Sequence, residues 1–119
     1  MSFSAFDRAL TRVEHILVAI DEIEEFTFGV TEAVFLADRL RMHAVTRLIE
    51  IIGEAAKHLA PGVEDRQPTV PWRLVRSMRD RIVHEYDRVD PKRVWSVATE
   101  DLAPLRAAMQ AERHWLETR

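Results

Sequence analysis

The chain of 119 residues has no cysteine, only three glycines and five prolines, and no long apolar run. Without cysteine it can form neither a disulfide framework nor a thiolate metal site. So few glycines and prolines argue against a turn-rich β fold. No apolar run approaches the roughly 18 residues of a membrane span, and residues 1–4 (M-S-F-S) lack the basic-then-apolar build of a signal peptide. We therefore expect a cytoplasmic protein without a membrane contact.

Sequence patterns of several enzyme classes are missing as well. The three glycines are scattered, which rules out a P-loop and a G-x-G-x-x-G turn, and no G-x-S-x-G occurs. There is also no H-E-x-x-H pattern or comparable group of histidines and carboxylates. We expect neither a metal site nor a cofactor.

What the chain does contain is enough apolar sequence to form a core. Hydrophobic residues make up 47% and charged residues 31%, as in a soluble globular protein, and the length fits one domain spanning residues 1–119. The net charge of −3 is unevenly distributed: residues 1–30 hold six acidic against two basic residues, whereas residues 71–93 hold seven basic against four acidic. The second stretch suits an anionic ligand, although an ordinary solvated helix face has the same composition.

Apolar residues recur at three- and four-residue spacing along most of the chain, which predicts helices. Ser4 is the expected N-cap of a first helix reaching about Phe26, and Thr31 that of a second helix reaching about Leu59, long enough for a bend. A third helix opens at residues 71–72, and a last one follows the N-cap Asp90. Pro104 is expected to kink or divide the last helix. The fold predicted is all-α, an antiparallel bundle of four to five helices.

The second helix carries a glycine in its middle. Gly53 costs about 1 kcal/mol relative to alanine there, which indicates that a neighbouring helix approaches closely. Glu54 is a candidate for a pair with an arginine, although packing alone explains both residues more simply. His15, His43 and His58 are expected at the surface.

Residues 79–86 read R-D-R-I-V-H-E-Y and combine a fixed cation, an imidazole and a phenol. The planar guanidinium of Arg79 suits a phosphate, and His84 can transfer a proton near neutral pH. On a straight helix, Arg79 and His84 point roughly 140° apart, at 100° per residue. Either the arginine side chain curls round, the helix distorts near His84, or a second copy completes the site. The last possibility favours a homodimer in which the two helices that carry the motif face one another across a two-fold axis.

This spacing of Arg, His and Tyr resembles the motif of the HEPN superfamily, in particular the HepT-like toxins, which pair with minimal nucleotidyltransferase antitoxins in type VII toxin–antitoxin systems. Further similarity lies in residues 47–57 (R-L-I-E-I-I-G-E-A-A-K) and in residues 71–72, 78–79, 89–90 and 94–95. Asp80 departs from the family, where asparagine is more common. The resemblance implies a HEPN-like bundle, a homodimer, an RNA substrate and a cognate antitoxin.

RNA supplies its own nucleophile, the 2′-hydroxyl, so a metal-independent endoribonuclease needs few groups. We expect His84 to transfer protons, Arg79 to stabilise the phosphate and Asp80 to orient His84. Arg76 and Tyr86 are further candidates for substrate binding, and the resemblance implies that Tyr86 is the residue to which the antitoxin transfers AMP. The alternative function is a non-catalytic helical partner or substrate-binding subunit of a separate nucleotidyltransferase, which the acidic net charge mildly favours.

Overall fold

A computed structural model describes residues 4–85 and 88–119, with the backbone alone described at His84 and Glu85. The helices in these ranges are α1 (Ala5–Thr27), α2 (Glu32–Ala37), α3 (Arg39–Ala56), α4 (Val63–Arg66), α5 (Trp72–Arg76), α6 (Met78–Ile82), α7 (Pro91–Glu100) and α8 (Leu102–Glu117). Two short strands, β1 (Val83–Glu85) and β2 (Arg88–Val89), lie between α6 and α7. The predicted all-α bundle is confirmed, with this small ribbon added to it. No helix in the described part of the chain is both long enough and apolar enough to cross a membrane.

Ion pairs show that α1 and α8 run antiparallel. Arg106, early in α8, lies 2.6 Å from Asp21, which is late in α1. Arg113, about two turns further along α8, lies 3.6 Å from Glu14, which is earlier in α1. Since the partners on α1 move backwards as α8 advances, the two helices have opposite directions. Helix α3 also packs against α1 and contacts α2, α5, α6 and α7 as well.

Helix α1 begins at the predicted N-cap. The Ser4 hydroxyl accepts a hydrogen bond from the Asp7 backbone N–H at 3.1 Å, and the Asp7 carboxylate accepts one from the Ser4 N–H at 3.0 Å. This capping box satisfies two N–H groups that the first helical turn leaves unpaired. The hydrogen bond from the Ser4 backbone lowers the pKa of Asp7 below its ordinary value.

The predicted second helix is divided in two. Helix α2 starts after its N-cap Thr31, as expected, but ends at Ala37, and Asp38 then caps α3 by accepting a hydrogen bond from the Arg41 N–H at 3.0 Å. The expected bend is therefore a break with its own cap. Helix α3 ends at Ala56, before the predicted Leu59.

The core lies around α1, which packs against both α3 and α8. Burying each large apolar side chain contributes roughly 1.5–3 kcal/mol. On α2, Phe35 is fully buried and its ring centroid lies 5.2 Å from that of Trp95 on α7. Residues without exposed surface include Val13, Ile16, Ile20, Ile23, Val45, Ile49, Ile52 and Met109.

The close approach predicted at Gly53 is confirmed. A Cβ atom added there would lie 3.4 Å from the Val75 carbonyl oxygen and 3.6 Å from Met78 Cβ. The missing side chain lets the junction of α5 and α6 rest directly on α3. This contact places the segment that leads into the motif.

The loop of residues 61–70 is held by a buried ion pair. Arg66 in α4 donates to the Glu112 carboxylate at 3.0 and 2.6 Å, and the Glu112 side chain is 0% exposed. The Arg66 guanidinium also lies 3.7 Å from the centre of the Trp115 ring. Its hydrogen bonds to Glu112 raise the pKa of Arg66 further above its ordinary value. Through these contacts the loop is fixed to α8.

The last part of the chain follows the prediction. Asp90 caps α7 by accepting a hydrogen bond from the Lys92 N–H at 3.0 Å, and Pro91 occupies the first turn. The expected division occurs at Asp101, and Pro104 lies in the first turn of α8, where no intrahelical N–H bond is lost.

Candidate active site

The third helix, predicted to begin at residues 71–72, does not continue as a straight helix to His84. Helix α6 ends at Ile82, and β1 follows, antiparallel to β2 with Val83 opposite Val89 and Glu85 opposite Arg88. The Ile82 carbonyl accepts a hydrogen bond from the Asp90 N–H at 2.7 Å, which draws the chain away from the helical path. The separation of 140° assumed a straight helix, so it does not apply to Arg79 and His84. Of the three possibilities considered, the structure has the distortion before His84.

The helix that leads into the motif is also interrupted. Pro71 serves as the N-cap of α5 and does not lie within its first turn. A break at Ser77 separates α5 from α6, and the Ser77 hydroxyl donates to the Arg73 carbonyl at 2.8 Å. Met78 and Ile82 are buried on α6. They anchor one side of this short helix, so that its other side faces solvent.

Arg79 and Asp80 occupy that solvent-exposed side. Arg79 directly follows the buried Met78, and Asp80 comes next. The backbone of His84 follows in β1, two residues beyond the end of α6. The predicted role of the His84 side chain lies outside what is described, and Tyr86 lies outside the described residues altogether. Arg79 and Asp80 are therefore exposed on α6, and the backbone of His84 follows them in β1, after the helix has ended.

Arg76 is half-buried, and its guanidinium already contacts other groups of the protein. Its guanidinium pairs with the Glu64 carboxylate, donates to the Ala56 carbonyl at 3.3 Å and lies 5.6 Å from the centre of the Trp72 ring. The backbone N–H of Glu64 and the Arg76 guanidinium lower the pKa of Glu64. These contacts tie α5 to α3 and α4, so an RNA phosphate would have to share Arg76 with Glu64.

Several other cations lie in or near the segment that carries the motif. Arg81 is half-buried and pairs with Asp101 at 2.8 Å. The cations with exposed side chains in this part of the sequence are Arg73, Arg79, Arg88, Lys92 and Arg93. A concentration of positive charge of this kind attracts anions such as nucleic-acid phosphates.

Two residues at the start of α7 support the ribbon, and sequence reasoning did not identify this role. Besides the bond from Asp90 to Ile82, Arg93 Nη1 donates to the Val83 carbonyl at 3.3 Å. Arg93 Nε also lies 3.6 Å from the Asp90 carboxylate. The sequence offered one signal, the consecutive β-branched residues Ile82 and Val83, which favour a strand over a helix.

Glu54, a candidate for a pair with an arginine, lies instead beside a lysine and a histidine of its own chain. Its exposed carboxylate lies 3.3 Å from Lys57 Nζ and 3.5 Å from His58 Nε2, both one turn further along the chain. The hydrogen bond from Lys57 lowers the pKa of Glu54. His15, His43 and His58 are exposed, as predicted.

A groove of about 420 Å³ lies between α1 and α3 and contains none of the motif residues. Val18 on its α1 side is 53% exposed, and Leu48 and Ile51 line its α3 side. Among the side chains that the structure describes, those of residues 4–83 and 88–119, no three acidic or histidine side chains lie close enough together to hold a metal ion.

The sequence of the chain is similar to the known proteins of one family. Residues 16–112 match the family model described as HepT-like, Ribonuclease HepT-like. A "Probable ribonuclease HepT" of Thermococcus cleftensis is 38% identical over 101 residues, 85% of this chain and 92% of that protein. A "Putative RNase" of Caldanaerobacter subterraneus subsp. tengcongensis is 32% identical over 93 residues, 78% of this chain and 83% of that protein. No solved structure matches the chain.

Proposed function

Because the chain belongs to the HepT-like ribonuclease family, we propose that it is a cytoplasmic endoribonuclease toxin of a toxin–antitoxin pair. The observation that supports this most is the placement of Arg79 on the solvent side of α6, directly after the buried Met78. A cation held this way can contact a large ligand while the helix behind it stays fixed. The related proteins named as ribonucleases favour RNA as that ligand.

The proposed reaction uses the 2′-hydroxyl of RNA as nucleophile. A base removes its proton, the oxygen attacks the adjacent phosphorus, and the bond to the 5′-oxygen breaks as that oxygen receives a proton. His84 is assigned the proton transfers, and Arg79 stabilises the charge that develops on the phosphoryl oxygens. Asp80, next to Arg79, is assigned the orientation of His84 and favours its protonated form. The products are a 2′,3′-cyclic phosphate and a 5′-hydroxyl, with no metal ion required.

The exposed cations extend the site into a surface for the RNA backbone. Arg88 and Lys92 are exposed on either side of the turn into α7. Contacts with phosphates release counterions, so binding weakens steeply as salt increases. Arg76 contributes to this surface through the part of its guanidinium that Glu64 leaves accessible.

The second candidate function is a non-catalytic partner of a separate nucleotidyltransferase. The net charge of −3 favours it, because a protein that binds RNA is commonly basic. Cleavage of RNA by the purified chain in EDTA distinguishes the two functions. Arrest of growth when the chain is expressed alone, and its absence with His84→Ala, tests the toxin.

We also propose that a minimal nucleotidyltransferase antitoxin inactivates the protein by transferring AMP to Tyr86. The modification adds a phosphodiester charge and a bulky nucleotide seven residues from Arg79 in the chain. The added phosphate would compete with RNA for the same guanidinium. Inhibition is therefore expected by occupation of the site, without unfolding of the bundle.

Incubation with the cognate nucleotidyltransferase, ATP and magnesium tests this prediction. Mass spectrometry should find an AMP-sized increase at Tyr86 that coincides with loss of RNA cleavage and is absent from Tyr86→Phe. Circular dichroism should show that the modified protein keeps its helix content. Neutralisation without any mass change would mean that the antitoxin acts by binding alone.

We propose a homodimer formed through the groove between α1 and α3. Val18, at the middle of the groove, is 53% exposed, and Leu48 and Ile51 line its α3 side. A two-fold axis near Val18 would pack the Val18 side chains of the two copies against each other and cover this apolar surface. Such self-complementarity is what an isologous interface requires.

Sedimentation velocity at micromolar concentration tests the interface. Val18→Glu should convert the dimer into a monomer, because it buries a charge at the centre of the contact. Leu74→Glu is the control, since Leu74 is a comparably exposed apolar residue on α5. If Leu74→Glu dissociates the dimer and Val18→Glu does not, the copies meet through the motif helices instead.

A further inference from the structure

The strand that carries His84 has an irregular register. Val83 pairs with Val89, and Glu85 pairs with Arg88. Arg88 and Val89 are adjacent in β2, whereas one residue separates Val83 from Glu85 in β1, and that residue has no partner in β2. That residue is His84, so β1 contains a bulge at the proposed proton-transfer residue. A bulge re-aims the side chain at its position. An isolated two-stranded ribbon of this length has little stability of its own. Other contacts must therefore hold the backbone of the bulge in place.

Those contacts come from the first turn of α7. The Asp90 N–H donates a hydrogen bond to the Ile82 carbonyl at 2.7 Å, and Arg93 Nη1 donates one to the next carbonyl, that of Val83, at 3.3 Å. The Asp90 carboxylate lies 3.6 Å from Arg93 Nε. Both carbonyls immediately before His84 are thereby connected to a single helical turn.

That turn is itself rigidly placed. The Asp90 carboxylate caps α7 through the Lys92 N–H, and Val94, the residue after Arg93, is fully buried in the core. Arg93 itself is half exposed, so its guanidinium contributes little to holding the bundle together. Its contact with the ribbon can therefore be removed without unfolding the protein.

We propose that Arg93 is a positioning residue for His84, acting through the Val83 carbonyl to hold the bulge in the orientation that proton transfer needs. This inference rests on the proposed ribonuclease function for its consequence in catalysis. Arg93 has no proposed contact with the reacting atoms. Its effect is on the backbone that carries His84.

Arg93→Ala should lower kcat between about 10- and 100-fold, the range expected when a reacting group is misplaced by a fraction of an ångström to about 1 Å. The KM for RNA should change no more than in Lys92→Ala. That variant removes a neighbouring exposed cation from the same turn and controls for lost attraction of RNA. Arg93→Lys should recover part of the activity, because an ammonium can still donate to the carbonyl. Equal losses of kcat in Arg93→Ala and Lys92→Ala would overturn the proposal.

A second readout does not depend on activity. In NMR spectra, Arg93→Ala should move the His84 imidazole resonances and accelerate amide exchange in residues 83–85, whereas Lys92→Ala should leave both unchanged. If the His84 resonances stay in place in Arg93→Ala, Arg93 does not position this residue. If they move but the wild-type chain does not cleave RNA, the positioning role stands and the proposed function fails.

Discussion

Replacing Arg79 or His84 by alanine is expected to abolish RNA cleavage while the helical bundle stays folded. Removing a positioned acid–base group costs about 10²–10⁴-fold in rate, and removing a group that stabilises transition-state charge costs about 10²–10³-fold. Arg79 is exposed on α6, and the buried residues that anchor this helix, Met78 and Ile82, remain in both variants. Cleavage of a labelled RNA, with circular dichroism and thermal unfolding of each variant, measures both parts of the expectation.

Arg73→Ala is the matched control for Arg79→Ala. Arg73 is another exposed arginine in the preceding helix, so its loss changes the net charge equally. We expect it to weaken RNA binding slightly and to leave kcat nearly unchanged. Cleavage at the wild-type rate by either Arg79→Ala or His84→Ala would show that the assigned roles are wrong.

Arg66→Ala is expected to lower the free energy of unfolding by about 3–5 kcal/mol, the loss typical when one partner of a buried ion pair is removed. The reason is that the Glu112 carboxylate, which is 0% exposed, keeps its place in the core without the two hydrogen bonds from Arg66. The stacking of Arg66 on Trp115 is lost as well. Urea unfolding followed by circular dichroism measures the change.

Arg113→Ala provides the comparison on a solvent-exposed pair. Arg113 lies 3.6 Å from Glu14 near the surface, and such pairs contribute about 0–1 kcal/mol. The double variant Arg66→Met with Glu112→Leu should recover much of the stability, since apolar residues of similar size often replace a buried pair without loss. If Arg66→Ala is too unstable to purify, Arg66→Lys keeps the charge but loses the paired hydrogen bonds, and a smaller loss is expected. A loss in Arg66→Ala no greater than in Arg113→Ala would contradict this role.

Much of the fold could be predicted because its signals are local. Ser4, Thr31 and Asp90 each stand just before an amphipathic segment, and each caps the expected helix. The glycine at position 53 was informative for a similar reason, since one missing side chain within a helix indicates a close neighbour. In both cases the sequence pattern and the tertiary structure favour the same conformation.

The end of α6 could not be predicted in this way. The apolar pattern continues smoothly from Met78 through Ile82 to Val83, and what ends the helix is a hydrogen bond from Asp90, eight residues further on. The pair of Arg66 and Glu112, 46 residues apart, has no local signal either. For the same reason the angle of roughly 140° between Arg79 and His84 does not apply, because it assumed a straight helix and α6 ends at Ile82.

The proposed function is cleavage of RNA by attack of its own 2′-hydroxyl, with the protein's side chains as the only catalysts. The most direct test is to incubate the purified wild-type chain and His84→Ala with a defined RNA in EDTA, and to identify the product ends by mass spectrometry. The wild-type chain should yield 2′,3′-cyclic phosphate and 5′-hydroxyl ends in EDTA, and His84→Ala should yield none. Cleavage that requires a divalent metal and leaves 3′-hydroxyl ends, or no cleavage by the wild-type chain, would contradict it.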